Sequence, residues 1–151
     1  MKEFNSINDI LDFAINAEQE AVDFYNQLSE VAKAKDMKAT FTEFAQEEIG
    51  HKTRLTKIKQ EGIFQLEKQE IADLKIADYI VSAKASPDMS YQDALVLAMK
   101  KEKAAFKLYL ELSNRAKNAQ MKDLFLSLAQ EESKHKLRFE IEYDEFVLRE
   151  N

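Results

Sequence analysis

An internal repeat constrains the fold of this chain more than any other feature. When the sequence is displaced by 84 positions against itself, acidic, aromatic and apolar residues coincide, and so do both histidines. The coinciding pairs include Glu18/Glu102, Tyr25/Tyr109, Leu28/Leu112, Met37/Met121, Phe41/Phe125, Glu47/Glu131, Glu48/Glu132, His51/His135 and Arg54/Arg138. Similarity at one fixed offset indicates two copies of a single supersecondary unit, and each copy is long enough for a hairpin of two helices.

The repeat is predicted to be helical throughout, so the fold class is all-α. Among 151 residues there are only two Gly and one Pro, while Ala, Leu, Glu, Lys and Gln, which favour helices, are abundant. Capping residues and a glycine mark the ends of the helices. The four predicted helices cover about 6–33 (cap within Asn5–Asp9), 36–61 (cap Asp36, end at Gly62), 90–117 (cap Ser90) and 118–148 (cap Asn118).

The segment between the two hairpins predicts the topology. Residues 63–89 are too many for a structureless loop, the stretch 71–84 has helix-like apolar spacing, and Ser86-Pro87-Asp88 marks a turn. Four-helix bundles with one such long crossover form the ferritin-like class. We therefore predict a single domain over 1–151, with hairpin 1 at about 6–62, a crossover containing a short helix at about 63–89, and hairpin 2 at about 90–148.

Each predicted helix has one inward seam with alternating spacings of four and three, as in nearly antiparallel packed helices. Acidic residues or histidines interrupt every seam at mid-helix, so they are predicted to lie at one level of the bundle. The seams are Ile7, Leu11, Ala14, Glu18, Ala21, Tyr25, Leu28, Ala32; Met37, Phe41, Phe44, Glu48, His51, Leu55, Ile58; Tyr91, Leu95, Ala98, Glu102, Ala105, Tyr109, Leu112, Ala116; and Met121, Phe125, Leu128, Glu132, His135, Phe139.

Four glutamates and two imidazoles at one level of a core require counter-charge, because burying an unpaired ion costs several kcal/mol. The seams contain no Lys or Arg, so bound cations are the remaining source. A Glu and a His at i and i+3 share one helix face, and two such pairs with two single glutamates match di-iron and di-manganese carboxylate bundles. Iron and manganese suit this donor set and zinc tolerates it; we favour iron, with two ions per site.

A lone Glu-x-x-His is usually a pair of solvated polar residues, so one copy carries little weight. Two copies at one offset, each inside an apolar seam and each with a seam glutamate on the preceding helix, favour metal binding. A degenerate, metal-free duplicate is the alternative. Gly50, between Glu48 and His51, weakens the helix, and we expect it to allow a close helix approach.

Composition excludes several classes of function. The formal net charge is −6 and the basic residues are interleaved with acids, which argues against nucleic-acid binding. Cysteine is absent, so the chain has no disulfide, thiol nucleophile or cysteine-ligated iron, and electrons must come from elsewhere. Because Met1–Asn5 does not resemble a signal peptide and no apolar run is long enough to span a bilayer, we expect a cytoplasmic protein with no membrane partner.

The segments Ala14–Glu18, Glu47–His51 and Ser86–Tyr91 resemble the rubrerythrin branch of the ferritin-like superfamily, and the overall pattern covers nearly the whole chain. The resemblance implies that Glu48 and Glu132 bridge two metals. The full ligand set that it implies is Glu18, Glu48, His51, Glu102, Glu132 and His135.

Four further residues are candidates for supporting roles. By the resemblance, Glu47 and Glu131 accept hydrogen bonds from ligand imidazoles, the alternative being solvated surface acids. Tyr25 and Tyr109 follow Glu18 and Glu102 on the same seams, and we expect their hydroxyls to bind ligand carboxylates or to supply a proton or electron. A plain core aromatic is the alternative reading of each tyrosine.

The chain departs from rubrerythrins in two ways. Rubrerythrins carry a cysteine-rich rubredoxin module, which this chain lacks, and an extra glutamate three residues after the third-helix ligand. That position is Ala105 here, and its repeat mate is Ala21. The departure weakens the peroxidase assignment and leaves a symmetric six-ligand site that is closer to the ferroxidase centre of bacterioferritin.

The leading prediction is a di-iron oxidoreductase that reduces hydrogen peroxide or dioxygen and is re-reduced by an external donor protein such as a rubredoxin. The alternatives are a non-catalytic iron-handling protein of the ferroxidase or storage type, and a metal-stabilised structural or sensor module. The long crossover would let hairpins exchange between chains, as in some relatives, so we also predict a homodimer, with domain swapping as an option.

Overall fold

The computed structural model describes residues 3–81, 85–86 and 88–150, and within these ranges all regular structure is helical. The predicted end of the crossover helix at 82–84 and Pro87 of the predicted turn lie outside the described residues. The helices are α1 Ile7–Val31, α2 Lys35–Glu61, α3 Lys68–Asp73, a 3₁₀ turn Ile76–Asp78, α4 Tyr91–Arg115 and α5 Ala119–Glu150. The predicted fold class, an all-α ferritin-like bundle, is confirmed.

Three of the predicted N-caps are present. The side-chain oxygens of Ser6, Ser90 and Asn118 each accept a hydrogen bond from the backbone N–H three residues on, at 3.1, 3.0 and 2.9 Å. These bonds satisfy N–H groups that the first turn of a helix leaves without partners. The starts of α1, α4 and α5 are therefore set by local sequence.

The start of α2 differs from the prediction. Asp36 does not cap this helix: α2 begins at Lys35, after Ala34, which makes no side-chain cap. Asp36 lies in the first turn, where its charge interacts favourably with the helix dipole. The end of α2 is as predicted, because Gly62 adopts the left-handed conformation with φ of 64° that glycine accepts without a steric penalty.

The apolar core is interrupted where the polar residues lie. The seam residues are buried as predicted, except that Ile7, Phe44, Tyr91 and Ala105 are partly exposed. Buried apolar residues form two clusters, one around Tyr109 and one around Tyr25 on the other side of a polar level. The polar residues therefore form a layer between two apolar clusters.

The crossover contains a short helix, but earlier than the predicted 71–84. A capping box between Glu67 and Glu70 starts α3, and the extended backbone of Leu74 ends it. The side chains of Ile71, Leu74 and Ile76 then pack into the cluster around Tyr109. Periodicity alone could not locate α3, because its start depends on the reciprocal cap and its end on packing.

Gly50 does not lie at a close contact between helices, so the expectation from the sequence is wrong. A Cβ atom built at Gly50 would have no neighbour within 4 Å, so no described residue requires a glycine there. Among the described residues, no helix combines the length and apolar character needed to cross a membrane.

Candidate metal centre

The six candidate ligands meet at one level of the bundle, between the two apolar clusters. Helices α1 and α4 each contribute one glutamate, and α2 and α5 each contribute a Glu-x-x-His pair. Each of these residues is no more than 2% exposed to solvent: Glu18, Glu48, His51, Glu102, Glu132 and His135. Buried ionisable groups in proteins are normally paired with a group of opposite charge. Four carboxylates with only two imidazoles therefore need additional positive charge, either protons or bound cations.

The cluster divides into two overlapping groups of donors. In each group the ligand atoms all lie within 4.8 Å of one another. The first group is Glu18, Glu48, His51 and Glu132, and the second is Glu48, Glu102, Glu132 and His135. Glu48 and Glu132 belong to both groups, which is the arrangement that two ions sharing two carboxylates would need.

Every candidate ligand has one inward atom without a hydrogen-bond partner among the described residues. These atoms are Glu18 Oε2, Glu48 Oε1, His51 Nδ1, Glu102 Oε2, Glu132 Oε1 and His135 Nδ1. Buried polar atoms are rarely left unpaired in folded proteins, and exceptions indicate a bound ion or a functional role. Six such atoms from six residues at one level fit the donor set of a metal centre.

The distances between these inward atoms are those of donors around a common ion. His51 Nδ1 lies 2.9 Å from Glu132 Oε1 and 3.5 Å from Glu48 Oε1. His135 Nδ1 lies 3.2 Å from Glu48 Oε1. Two donors at about 2.1 Å from one ion are themselves about 3.0–3.4 Å apart, depending on the coordination angle. The residues present therefore fit a metal group.

Each imidazole is held on its outer side by a glutamate of the other hairpin. His51 Nε2 lies 3.2 Å from Glu131 Oε2, and His135 Nε2 hydrogen-bonds to Glu47. When Nε2 carries the proton and donates it, Nδ1 is a free acceptor facing the cluster, which is the tautomer that a metal ligand needs. Arg54 also contacts Glu131, at 3.3 Å, and keeps its carboxylate on the outer side.

The two tyrosines cross between hairpins in the same way. The hydroxyl of Tyr25 donates a hydrogen bond to Glu102, and that of Tyr109 donates one to Glu18. Burial, and then the charges of the nearby glutamates, raise the pKa of both tyrosines well above its ordinary value. Both hydroxyls therefore stay protonated and orient one oxygen of each glutamate, which leaves the other oxygen free.

In the metal-free state the excess negative charge favours protonation. Burial and the neighbouring carboxylates raise the pKa of Glu48 and Glu132 well above its ordinary value. Burial lowers the pKa of His135, but hydrogen bonds with Glu102 and Glu48 outweigh it and raise the pKa to about 10. The apoprotein must therefore retain protons that bound cations would displace.

A cavity of about 640 Å³ leads from the surface between α1 and α4 to the cluster. Its inner end is formed by Glu18, Glu48, Glu102 and Glu132. Small residues line its wall, among them the partly exposed Ala105 and its repeat mate Ala21. Ala105 and Ala21 therefore leave open space beside the ligands, at the positions where a further carboxylate ligand could stand.

One buried acid was missed by the sequence analysis. Glu142 on α5 is 3% exposed, accepts a hydrogen bond of 2.9 Å from the Tyr91 hydroxyl, and lies 3.5 Å from the Arg149 guanidinium. The signal was present, because the α5 seam reaches Glu142 when its spacing is continued by three residues beyond Phe139. Its repeat mate is the apolar Ile58, so Glu142 is not part of the repeated cluster.

Comparisons with known proteins agree with this architecture. A model of the ferritin-like domain family matches residues 7–140. A crystal structure from Thermotoga maritima, assigned as a ferritin-like diiron-carboxylate protein, is 26% identical with a TM-score of 0.77, over 96% of this chain and 99% of that chain. A hypothetical protein from Pyrococcus furiosus is 27% identical with a TM-score of 0.73, over 92% and 89% respectively. No curated protein matches the chain.

Proposed function

The chain belongs to the ferritin-like domain family, and from that premise we propose that its Glu/His cluster is a dinuclear iron centre that reduces hydrogen peroxide or dioxygen to water. The observation that carries the proposal is the set of six buried inward atoms without hydrogen-bond partners among the described residues. The diiron-carboxylate assignment of the similar Thermotoga maritima protein supports iron over other metals. Manganese and zinc remain the competing ions.

Bound iron would supply the electrons and the Lewis acidity for this reaction. The protein holds the donors in place: Glu131 and Glu47 fix the two imidazoles, and Tyr109 and Tyr25 fix Glu18 and Glu102. The cavity between α1 and α4 gives a small oxidant a path to the cluster. Burial of the ligands limits the access of bulk water to the reacting atoms.

Reduction of one hydrogen peroxide to two waters consumes two electrons and two protons, and reduction of one dioxygen to two waters consumes four of each. Two ferrous ions supply two electrons, so the centre needs an external reductant for each turnover with either oxidant. The sequence contains no cysteine that would hold a second electron-transfer centre. We therefore propose that a separate donor protein, such as a rubredoxin, supplies the electrons.

Steady-state turnover tests this function. The chain is loaded anaerobically with two ferrous ions, mixed with hydrogen peroxide or dioxygen, and supplied with a reduced rubredoxin. We expect repeated oxidant consumption that is lost in Glu132→Ala, because Glu132 contributes to both donor groups. Exposed Ser133 on the same helix gives a matched control, and Ser133→Ala should retain the activity. A diferric centre that no donor re-reduces would contradict the enzyme assignment.

An iron-handling role of the ferroxidase type is the second candidate, and Ala21 and Ala105 favour it. Without a seventh carboxylate the six donors are symmetric between the hairpins, and open space adjoins them. In this role ferrous iron is the substrate, and oxidised iron leaves the centre. Release of ferric iron after oxidation, with new ferrous iron oxidised in its place, would favour this role over the peroxidase.

A further inference from the structure

Helix α5 presents an apolar stripe to solvent. Its members are more than a third exposed, and they are Leu126 (39%), Leu137 (57%), Ile141 (43%) and Leu148 (76%). At about 100° per residue, these four side chains lie within about 60° of one another around the helix, opposite the buried Phe139. An aligned set of exposed apolar side chains on one helix is a common mark of an interaction surface.

The internal repeat supplies a comparison within the same molecule. Helix α2 is the counterpart of α5, and its residues at the positions of Leu126, Leu137 and Ile141 are Thr42, Thr53 and Lys57. All three are exposed, as their counterparts are. Ile49, at 40%, is the one exposed large apolar residue of α2 and has no aligned apolar neighbours, so a helix in this position does not need an apolar stripe on its outer face in order to build the bundle. The stripe on α5 calls for an explanation outside the single chain.

We propose that the α5 stripe binds a second copy of this chain, with the two α5 helices antiparallel about a twofold axis. The axis passes between Leu137 and Ile141, so that Leu137 opposes the partner's Ile141 and the reverse contact is identical. In this register Leu148 faces the partner's Gln130, and Leu126 lies at the edge of the contact, past the end of the partner's α5. A twofold pairing of one patch with itself forms a closed dimer. The proposal does not depend on the bound metal, because the stripe points away from the cluster.

Charge complementarity favours a second copy of the chain as the partner and an antiparallel orientation of the two α5 helices. Lys134 precedes Leu137 by three residues, and Asp144 follows Ile141 by three residues. In the antiparallel register Lys134 opposes the partner's Asp144, and the twofold axis forms this ion pair twice. A parallel pairing would instead place Lys134 against Lys134 and Asp144 against Asp144. Both side chains are exposed and border the stripe.

The other charged side chains at the centre of the stripe are engaged within their own chain. Arg138 lies 3.9 Å from Asp36, and Lys136 hydrogen-bonds to Glu140. They flank the contact without leaving an unpaired charge inside it. The apolar residues at the centre and the ion pairs outside them give an apolar core with a polar rim, as in protein interfaces generally.

Sedimentation of the metal-loaded chain over a range of concentrations tests the proposal. We expect a species of twice 17.5 kDa for the wild type and a dissociation constant raised at least about tenfold in Leu137→Lys. Lysine is a good helix former and position 137 is exposed, so the variant should fold, which circular dichroism would verify. The matched control is Thr53→Lys, at the equivalent position of α2, and it should remain dimeric.

A charge exchange distinguishes this register from every other dimer. Lys134→Glu should weaken dimerisation because it opposes the partner's Asp144, and the double variant Lys134→Glu/Asp144→Lys should restore it. A wild type that stays monomeric at all concentrations would overturn the proposal. A dimer that survives Leu137→Lys would also overturn it, because such a dimer would use another surface or exchanged hairpins.

Discussion

His51 Nε2 on α2 lies 3.2 Å from Glu131 Oε2 on α5, so the imidazole of one hairpin is oriented by the other hairpin. The repeat-related pair, His135 and Glu47, is crossed in the same way. The two halves of the cluster are therefore interdependent, and neither hairpin contains a complete site. Formation of the candidate metal centre requires the hairpins to be packed together.

Replacing Glu131 with Ala should weaken metal binding in one half of the site. Without its hydrogen-bond acceptor, the His51 ring loses its fixed tautomer, and changes of this kind cost about 10–100-fold in metal affinity. The group containing His135 keeps Glu47, so we expect one tight and one weakened ion in a titration against a chelator. Gln130→Ala, at an exposed neighbouring position, is the control. Equal binding by both variants would contradict the orienting role.

Replacing Tyr109 with Phe should destabilise the apoprotein. The change removes the hydroxyl that donates to Glu18 and leaves another buried carboxylate oxygen without a partner. We expect the free energy of unfolding to fall by about 1–3 kcal/mol in urea titrations, and Tyr25→Phe should behave similarly through Glu102. Tyr143→Phe is the matched control, because its hydroxyl lies at an exposed site. A loss no larger than the control's would contradict this role.

The stability of the apoprotein should fall as pH rises from about 5 towards 10. The pKa values of Glu48, Glu132, His51 and His135 are raised in the folded state. Each group therefore contributes stability that is complete below its unfolded pKa and is lost as pH rises through its folded pKa. Burial raises the pKa of Glu18, but hydrogen bonds with His51 and Glu48 outweigh it and lower the pKa below its ordinary value. Glu18 is therefore ionised in both the folded and the unfolded state above about pH 5 and does not change this trend.

Metal binding should remove this pH dependence, because the ions replace the protons. We therefore expect the difference in melting temperature between metal-loaded and metal-free protein to widen with increasing pH, as measured by circular dichroism. Metal release by a chelator should leave a helical but less stable chain. An apoprotein whose melting temperature rises from pH 5 to pH 9 would contradict the buried cluster of protonated acids.

Replacing Gly50 with Ala should stabilise the protein by about 0.5–1 kcal/mol, because alanine has the higher helix propensity and the added methyl group meets no neighbour. Gln46→Ala, at an exposed position one turn earlier on α2, serves as the comparison and should change stability by less. Thermal unfolding measures both. Destabilisation by Gly50→Ala would mean that the backbone at Gly50 needs more room than the structure shows.

The sequence predicted the features that depend on local pattern and repetition. The helix ends at Ser6, Gly62 and Asn118 follow from local chemistry, and the level of Glu18 and Glu102 follows from the seams. The hydrogen bonds between hairpins, such as that from His51 to Glu131, could not be predicted. A repeat shows which positions are equivalent, but it does not show whether a residue contacts its own hairpin or the other one. The start of α3 and the cavity beside Ala105 likewise depend on packing between elements distant in sequence.

The open space beside Ala105 gives a direct test of how ligand number controls the centre. Ala105→Glu would place a carboxylate along the cavity wall next to the cluster, adding a negative donor where the wild type has none. Because affinity for a cation rises with the number of charged ligands, we expect Ala105→Glu to bind ferrous iron about tenfold more tightly. Ala105→Gln has the same size without the charge and serves as the control. Equal dissociation constants for the two variants, measured by chelator competition, would show that position 105 does not reach the bound ions.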